Sequence, residues 1–210
     1  ELQRMLELLN NALDYSFGLS TGLEYNPGLH AKEAELVELA RVVGSRDRIV
    51  MSHMRNEDDD QLEASLDELM SQGQVSRVHV SHLKSVYGKG ATRAEEILAV
   101  LANAREAGLE ITADVYPYNA SYAGIALLFP VWSKTLEEFE IAKQDRRAEL
   151  EEYLINRINR RNGPAATLLG TDPYTGKTLA DLELELNMPF EKILIDVISP
   201  QGASGAYLIM

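Results

Sequence analysis

The sequence predicts an α/β fold: a parallel sheet with helical crossovers, either doubly wound or part of a (β/α) barrel. Three observations predict it. Short strand-like runs begin near residues 17, 48, 77 and 109, about 31, 29 and 32 residues apart, with a helical stretch between each run and the next. Glycine follows each of these helical stretches, at Gly44, Gly73 and Gly108. The second and third runs are near-copies. Ile49-Val50-Met51-Ser52-His53-Met54-Arg55 and Val78-His79-Val80-Ser81-His82-Leu83-Lys84 both close on Ser-His, an apolar residue and a cation. Four such units would make half of an eight-stranded barrel.

Taken in order, an opening amphipathic helix carries Met5, Leu6, Leu9, Ala12 and Leu13. Phe17 to Tyr25 reads as the first strand and turns at Pro27-Gly28. A helix over 31–43 sets Leu36, Val37, Ala40 and Val43 on one face and stops at a left-handed Gly44. The second strand spans 48–53. Asp58, Asp59 and Asp60 crowd the start of a helix over 59–72, where carboxylates complement the helix dipole. That helix buries Leu62, Leu66 and Leu69 and ends at Gly73. The third strand, 77–82, leads through Tyr87-Gly88-Lys89-Gly90 to a helix over 92–107, opened by a Thr92–Glu95 capping box and closed by Gly108. The fourth, Leu109 to Val115, gives way to Tyr116-Pro117-Tyr118.

Residues 1–118 are expected to form the βα units, and 119–210 a helical elaboration with a terminal strand in the same domain. An apolar loop covers Leu127 to Trp132. One long helix runs from a Thr135–Glu138 capping box to Arg160 and is broken by Asn162-Gly163-Pro164. Two more helices open at Thr178 and Pro189, and Ala206 to Met210 reads as a strand. The chain starts inside a helical pattern and stops inside a strand pattern, so an internal piece of a longer protein is expected.

Composition narrows the function. A net charge of −13 over 210 residues leaves no basic patch for nucleic acid. The lack of cysteine removes disulfides and thiolate ligands and agrees with a cytoplasmic location. No apolar run approaches the length of a membrane span, and no export signal is recognisable. The glycine-containing turns at 18–22 and 87–90 match no phosphate loop or dinucleotide fingerprint, so nucleotide binding has no support.

The chemistry points to His53 and His82. A lone histidine is ordinarily a core or surface residue bonded to backbone. Two at equivalent ends of adjacent parallel strands should meet on the face where barrels hold their ligands, and imidazole nitrogens suit zinc. His79 is expected to pack against a helix and His30 to stand at a helix start. Arg55 and Lys84 share one offset from the histidines and read either as solvated cations or as holders of an anionic substrate group. Asp114 and Tyr116 end the fourth strand; the Tyr116 ring either packs before Pro117 or turns its hydroxyl to substrate. The acidic run Glu57 to Asp60 reads as a capped, solvated helix start rather than a metal cluster.

Gly18-Leu-Ser-Thr-Gly-Leu-Glu-Tyr25, Ser52-His-Met-Arg-Asn-Glu57, Ser81-His-Leu-Lys84, Asp114-Val-Tyr-Pro-Tyr118 and Gly176-Lys-Thr-Leu-Ala180 together resemble the D-aminoacylases, the N-acyl-D-amino-acid deacylases of the amidohydrolase superfamily. The resemblance implies a partial (β/α)8 TIM-type barrel of about strands four to seven. It implies His53 and His82 as ligands of a zinc ion, and Lys84 and Tyr116 as holders of the substrate carboxylate. The implied reaction is hydrolysis of an N-acyl-D-amino acid, a small-molecule substrate. The family's His-x-His pair, its cysteine or similar bridging ligand and its catalytic aspartate segment are absent, and Asn26 stands where proline is commoner. The chain by itself is therefore expected to be inactive and to hold zinc weakly. Open sheet edges are expected to drive self-association. Rival readings are a cyclic-amide hydrolase of the same superfamily, a non-catalytic barrel-derived binding or assembly domain, and a flavodoxin-like binding domain.

Overall fold

The computed structural model describes residues 1–202 and 206–209, and the chain divides after Tyr116 into two compact units. Met210, the last residue of the expected terminal strand, lies outside the described residues.

The first unit runs α1 (Leu2–Ala12), β1 (Gly18–Gly22), α2 (Glu33–Ser45), β2 (Ile49–His53), α3 (Leu62–Gly73), β3 (Arg77–Val80), α4 (Gly90–Glu106) and β4 (Ile111–Ala113). The strands are parallel and lie in the order β1-β2-β3-β4, so every crossover steps the same way along the sheet. A doubly wound sheet reverses that step and carries helices on both faces. Within this unit the helices cover one face. Val50, Val78, Val80 and Ile111 are essentially inaccessible there, packed with Ala40 and Val43 of α2, Leu62, Leu66 and Leu69 of α3, and Leu101 of α4. The other face carries the cross-strand row Ser20, Met51, His79 and Thr112, and Met51 there is 41% exposed.

Several local expectations give way to packing. Gly44 is not a left-handed stop. It lies inside α2, and a Cβ there would collide with the Val75 carbonyl oxygen, so close approach to the start of β3 is what requires glycine. Gly73 likewise ends α3 from within, and only Gly108 has the expected positive φ, +93°. The Thr92–Glu95 capping box does not form, because α4 starts two residues earlier at Gly90 and Thr92 already lies in its first turn. Asp58, Asp59 and Asp60 precede α3, which opens at Leu62, and Asp59 turns away to Ser85 and Arg93. His79 does not face a helix: strand parity puts Val78 and Val80 on the helix side and His79 on the open face.

The second unit, Pro117 to Met210, holds β5 (Ala120–Ala123), α5 (Leu136–Asp145), α6 (Arg147–Arg160), β6 (Thr167–Leu169), α7 (Leu179–Leu186), α8 (Phe190–Ile193), a π-turn through Ile198, and β7 (Ala206–Ile209). It holds two strands besides the expected terminal one. A three-stranded antiparallel sheet in the order β5-β7-β6 accompanies the helices. Strands this short carry too little pattern to read locally and exist through pairing with β7, distant in sequence. The expected capping box at Thr135–Glu138 forms, and a second one forms at Thr178–Asp181. The expected single helix from 135 to 160 nevertheless breaks at Arg146 (φ −131°). The stripe Phe139, Ala142, Leu150 would set a cation in the core at position 146; the break instead lays the Arg146 guanidinium 3.8 Å over the Trp132 ring.

Across the second unit, Arg147 Nη2 meets Asp196 Oδ2 at 2.5 Å and Lys143 Nζ meets Asp196 Oδ1 at 3.2 Å. The Arg147 hydrogen bonds, with Lys143 behind them, outweigh desolvation and hold the Asp196 carboxyl down at about 2. An unfolded aspartate titrates near 3.9. The folded-state pKa is the lower one, so this contribution to stability is complete above about pH 4 and lost as pH falls towards 2. Thermal melts should show Asp196→Asn losing stability against the wild type at pH 6, with the gap closing by pH 2. A gap constant from pH 6 to pH 2 would exclude this assignment.

Candidate metal centre

The site lies where β1, β2 and β3 end. His53 is the last residue of β2 and shares the parity of exposed Met51, so its ring rises on the open face. His82 reaches it by another route. Ser52 pairs with Val80, not with Ser81, so the two Ser-His motifs are offset by one residue in the sheet. Strand parity would send His82 to the helix side. The chain instead leaves β3 at Val80 and takes a left-handed φ of +42° at His82. This conformation is uncommon for a residue with a Cβ. Asp114 fixes it: its carboxylate accepts the His82 backbone N–H, its carbonyl accepts Leu83 N–H at 2.8 Å, and its own N–H donates to Val80 at 3.2 Å. The His82 backbone hydrogen bond, opposed by desolvation and helped by His79, keeps the Asp114 carboxyl below the usual carboxylate range.

His53 Nδ1 and His82 Nε2 face each other at 3.0 Å, ring centroids 4.6 Å apart. Glu24, on the loop after β1, lies with Oε2 2.9 Å from His53 Nε2; that loop is tied down by Leu23 N–H donating to the His53 carbonyl. Glu57 Oε1 is 3.1 Å from His82 Nδ1, 3.9 Å from His53 Nδ1 and 2.5 Å from Lys84 Nζ. Burial of Glu57, only 5% exposed, pushes its pKa up, but the His82 hydrogen bond and the Lys84 charge prevail and hold it below the usual range. The Tyr25 ring lies against the His53 ring, centroids 4.7 Å apart and planes tilted by 46°. Burial, then the charges of Glu24 and Glu57, push its hydroxyl up to about 12, so it stays protonated. Lys84 Nζ also sits 3.1 Å from His82 Nδ1 and 5.5 Å from the Tyr116 ring centroid.

All four residues anticipated from sequence, His53, His82, Lys84 and Tyr116, therefore gather at one place. Arg55 does not join them. Its guanidinium is spent on Glu68 and on the carbonyls of Leu29 and Ala31, a tie between α3 and the segment before α2. His30 lies exposed on a short 3-10 turn, and His79 bonds Thr112 Oγ1 at 2.8 Å. The reading of the acidic run fails at its first member. Glu57 lies four residues beyond His53 and turns inward, so His53, Glu57 and His82 present ligand atoms within 4.8 Å of one another. Glu24 and Tyr25 were also missed; their place directly after a strand end was the available signal.

The donor set suits a metal ion. Two nitrogens on one tetrahedral zinc at about 2.0–2.1 Å lie roughly 3.3 Å apart, close to the separation of His53 Nδ1 and His82 Nε2. Among the described residues no helix is long and apolar enough to cross a membrane.

No family model matches the chain. In sequence it is 35% identical over 144 residues to N-acyl-D-glutamate deacylase of Alcaligenes xylosoxydans xylosoxydans, a match over 67% of this chain and 29% of that protein. In fold it resembles N-acyl-D-glutamate deacylase from Bordetella bronchiseptica, solved with zinc and a phosphonate inhibitor mimicking the tetrahedral intermediate (TM-score 0.71, 28% identity, all of this chain and 38% of that one). It also resembles D-aminoacylase, described as defining a novel subset of amidohydrolases (TM-score 0.70, 24% identity, 38% of that chain). The chain thus spans well under half the length of the proteins it matches. By its sequence motifs, its parallel α/β sheet and its paired histidines, the chain belongs to the D-aminoacylase, or N-acyl-D-amino-acid deacylase, family of amidohydrolases.

Proposed function

We propose that this chain forms about strands four to seven of the (β/α)8 barrel of a zinc-dependent N-acyl-D-amino-acid deacylase, and that His53 and His82 hold the zinc. The reading rests on one observation: two imidazole nitrogens from adjacent parallel strands facing each other at 3.0 Å. The sheet supports it through its single direction of crossover and its one helix-covered face.

Zinc bound there would lower the pKa of a coordinated water to about neutral and polarise the amide carbonyl. The chain's own residues do the positioning. His53 Nδ1 and His82 Nε2 supply the ligand atoms. Lys84 offers a point charge for the substrate carboxylate, and the Tyr116 ring beside it limits where that carboxylate sits. Tyr25 remains a neutral donor on the His53 side. The proton transfer to the leaving nitrogen needs an acid–base carboxylate, and in this reading the catalytic aspartate comes from outside these 210 residues.

Zinc titration against a chromophoric chelator should find one ion per chain. His53→Ala and His82→Ala should each weaken binding at least about tenfold, because losing a ligand costs more than losing a supporting group. Unchanged affinity in both variants would remove the two histidines from the site. Purified chain loaded with zinc should release no D-amino acid from N-acyl-D-glutamate; turnover would show that the catalytic carboxylate lies within it. We also propose that the chain self-associates, since β1 and β4 each pair on one side only within the four-stranded sheet. Sedimentation should show dimers or larger species at micromolar concentration, and a clean monomer would rule this out.

A further inference from the structure

We infer that Glu24 is a positioning residue that fixes the tautomer of His53 and thereby aims its Nδ1 lone pair at the ion. The inference rests on the zinc reading above and goes beyond its ligands. A carboxylate can only accept hydrogen bonds. Glu24 Oε2 at 2.9 Å from His53 Nε2 therefore requires the His53 proton on Nε2, leaving Nδ1 as the acceptor. The Glu24 and His53 side chains are only 11% and 12% exposed, so water competes poorly for this bond.

The rest of the cluster follows from that choice. With Nδ1 of His53 accepting, His82 must donate from Nε2 across the 3.0 Å gap. His82 Nδ1, on the far side of that ring, lies 3.1 Å from both Glu57 Oε1 and Lys84 Nζ, and Lys84 also donates to Glu57 Oε1. An ion entering between the rings displaces only the His82 Nε2 proton. His82 can then carry its proton on Nδ1, with Glu57 Oε1 3.1 Å away to accept it. Loading therefore frees His82 Nε2 of its proton and leaves the tautomer of His53 unchanged. A ligand histidine whose second nitrogen is held by a carboxylate is a recurrent way of orienting metal sites, and removing such a partner typically costs about 10- to 100-fold in metal affinity.

Long-range nitrogen–proton NMR of the full chain, with and without zinc, reads both tautomers directly. The expected result is Nε2–H on His53 throughout, and on His82 the loss of the Nε2 proton when zinc is added. Glu24→Ala should mix the His53 tautomers and weaken zinc binding by about 10- to 100-fold. Glu24→Gln, whose amide oxygen still accepts, should restore most of both; a purely structural role for Glu24 would alter stability without this tautomer-specific rescue. Nδ1–H on His53 in the zinc-free wild type would overturn the inference. So would a folded Glu24→Ala with wild-type tautomers and wild-type zinc affinity. If the wild type takes up no zinc, the metal reading fails, and the zinc-free tautomers of wild type and Glu24→Ala still decide the role of Glu24.

Discussion

Two imidazole rings can meet at the end of this sheet only because His82 abandons its strand. The pairing of Ser52 with Val80 leaves His82 one position out of step with His53, and side-chain alternation would point the rings to opposite faces. The left-handed turn at His82 restores the meeting. Such a conformation costs about 1 kcal/mol or more for a residue with a Cβ, and three hydrogen bonds to Asp114 offset it. Asp114 acts through the backbone, not through the ring. Remove its hold and the site loses a member although neither histidine has changed.

The second layer of the site consists of acids used as anchors. Glu24 and Glu57 each approach one nitrogen of a histidine, while the remaining two nitrogens face each other. Lys84 neutralises Glu57 in a place where an unpaired buried charge would be costly. Arg55 stands at the matching offset after His53, yet it ties α3 to the segment before α2 through one carboxylate and two carbonyls. The fork geometry of a guanidinium suits a three-way structural tie, whereas a compact ammonium can be shared between a carboxylate and a ring nitrogen.

What could be read from the chain alone was the part encoded by local pattern. The spacing of the βα units, the two histidines and the cation after the second are visible because strands, helices and short motifs leave periodic marks. Glu57 was invisible because the same aspartates and glutamate that suggest a solvated helix start also begin a loop, and only the fold shows that Glu57 and Asp58 are buried and that Glu57 reaches the histidines. Gly44 was misread for a related reason: a glycine after a helical pattern suggests a stop, whereas the approach of the Val75 carbonyl, distant in sequence, is what excludes a side chain. In the second unit β5 and β6 are too short to announce themselves and depend on β7. The break at Arg146 was legible in principle, since a cation in an apolar stripe is a warning.

The sheet of the first unit keeps its two tasks on separate surfaces. Val50, Val78, Val80 and Ile111 face the helices and carry the burial, while the residues that meet around the histidines stand on or beyond the strand ends. A lineage can therefore rework the rim residue by residue, trying new acids or cations, while the foundation beneath goes on folding as before. Evolvability of this kind is bounded by segment length more than by composition: one residue gained or lost between Val80 and His82 would carry the ring a whole strand step away from its partner.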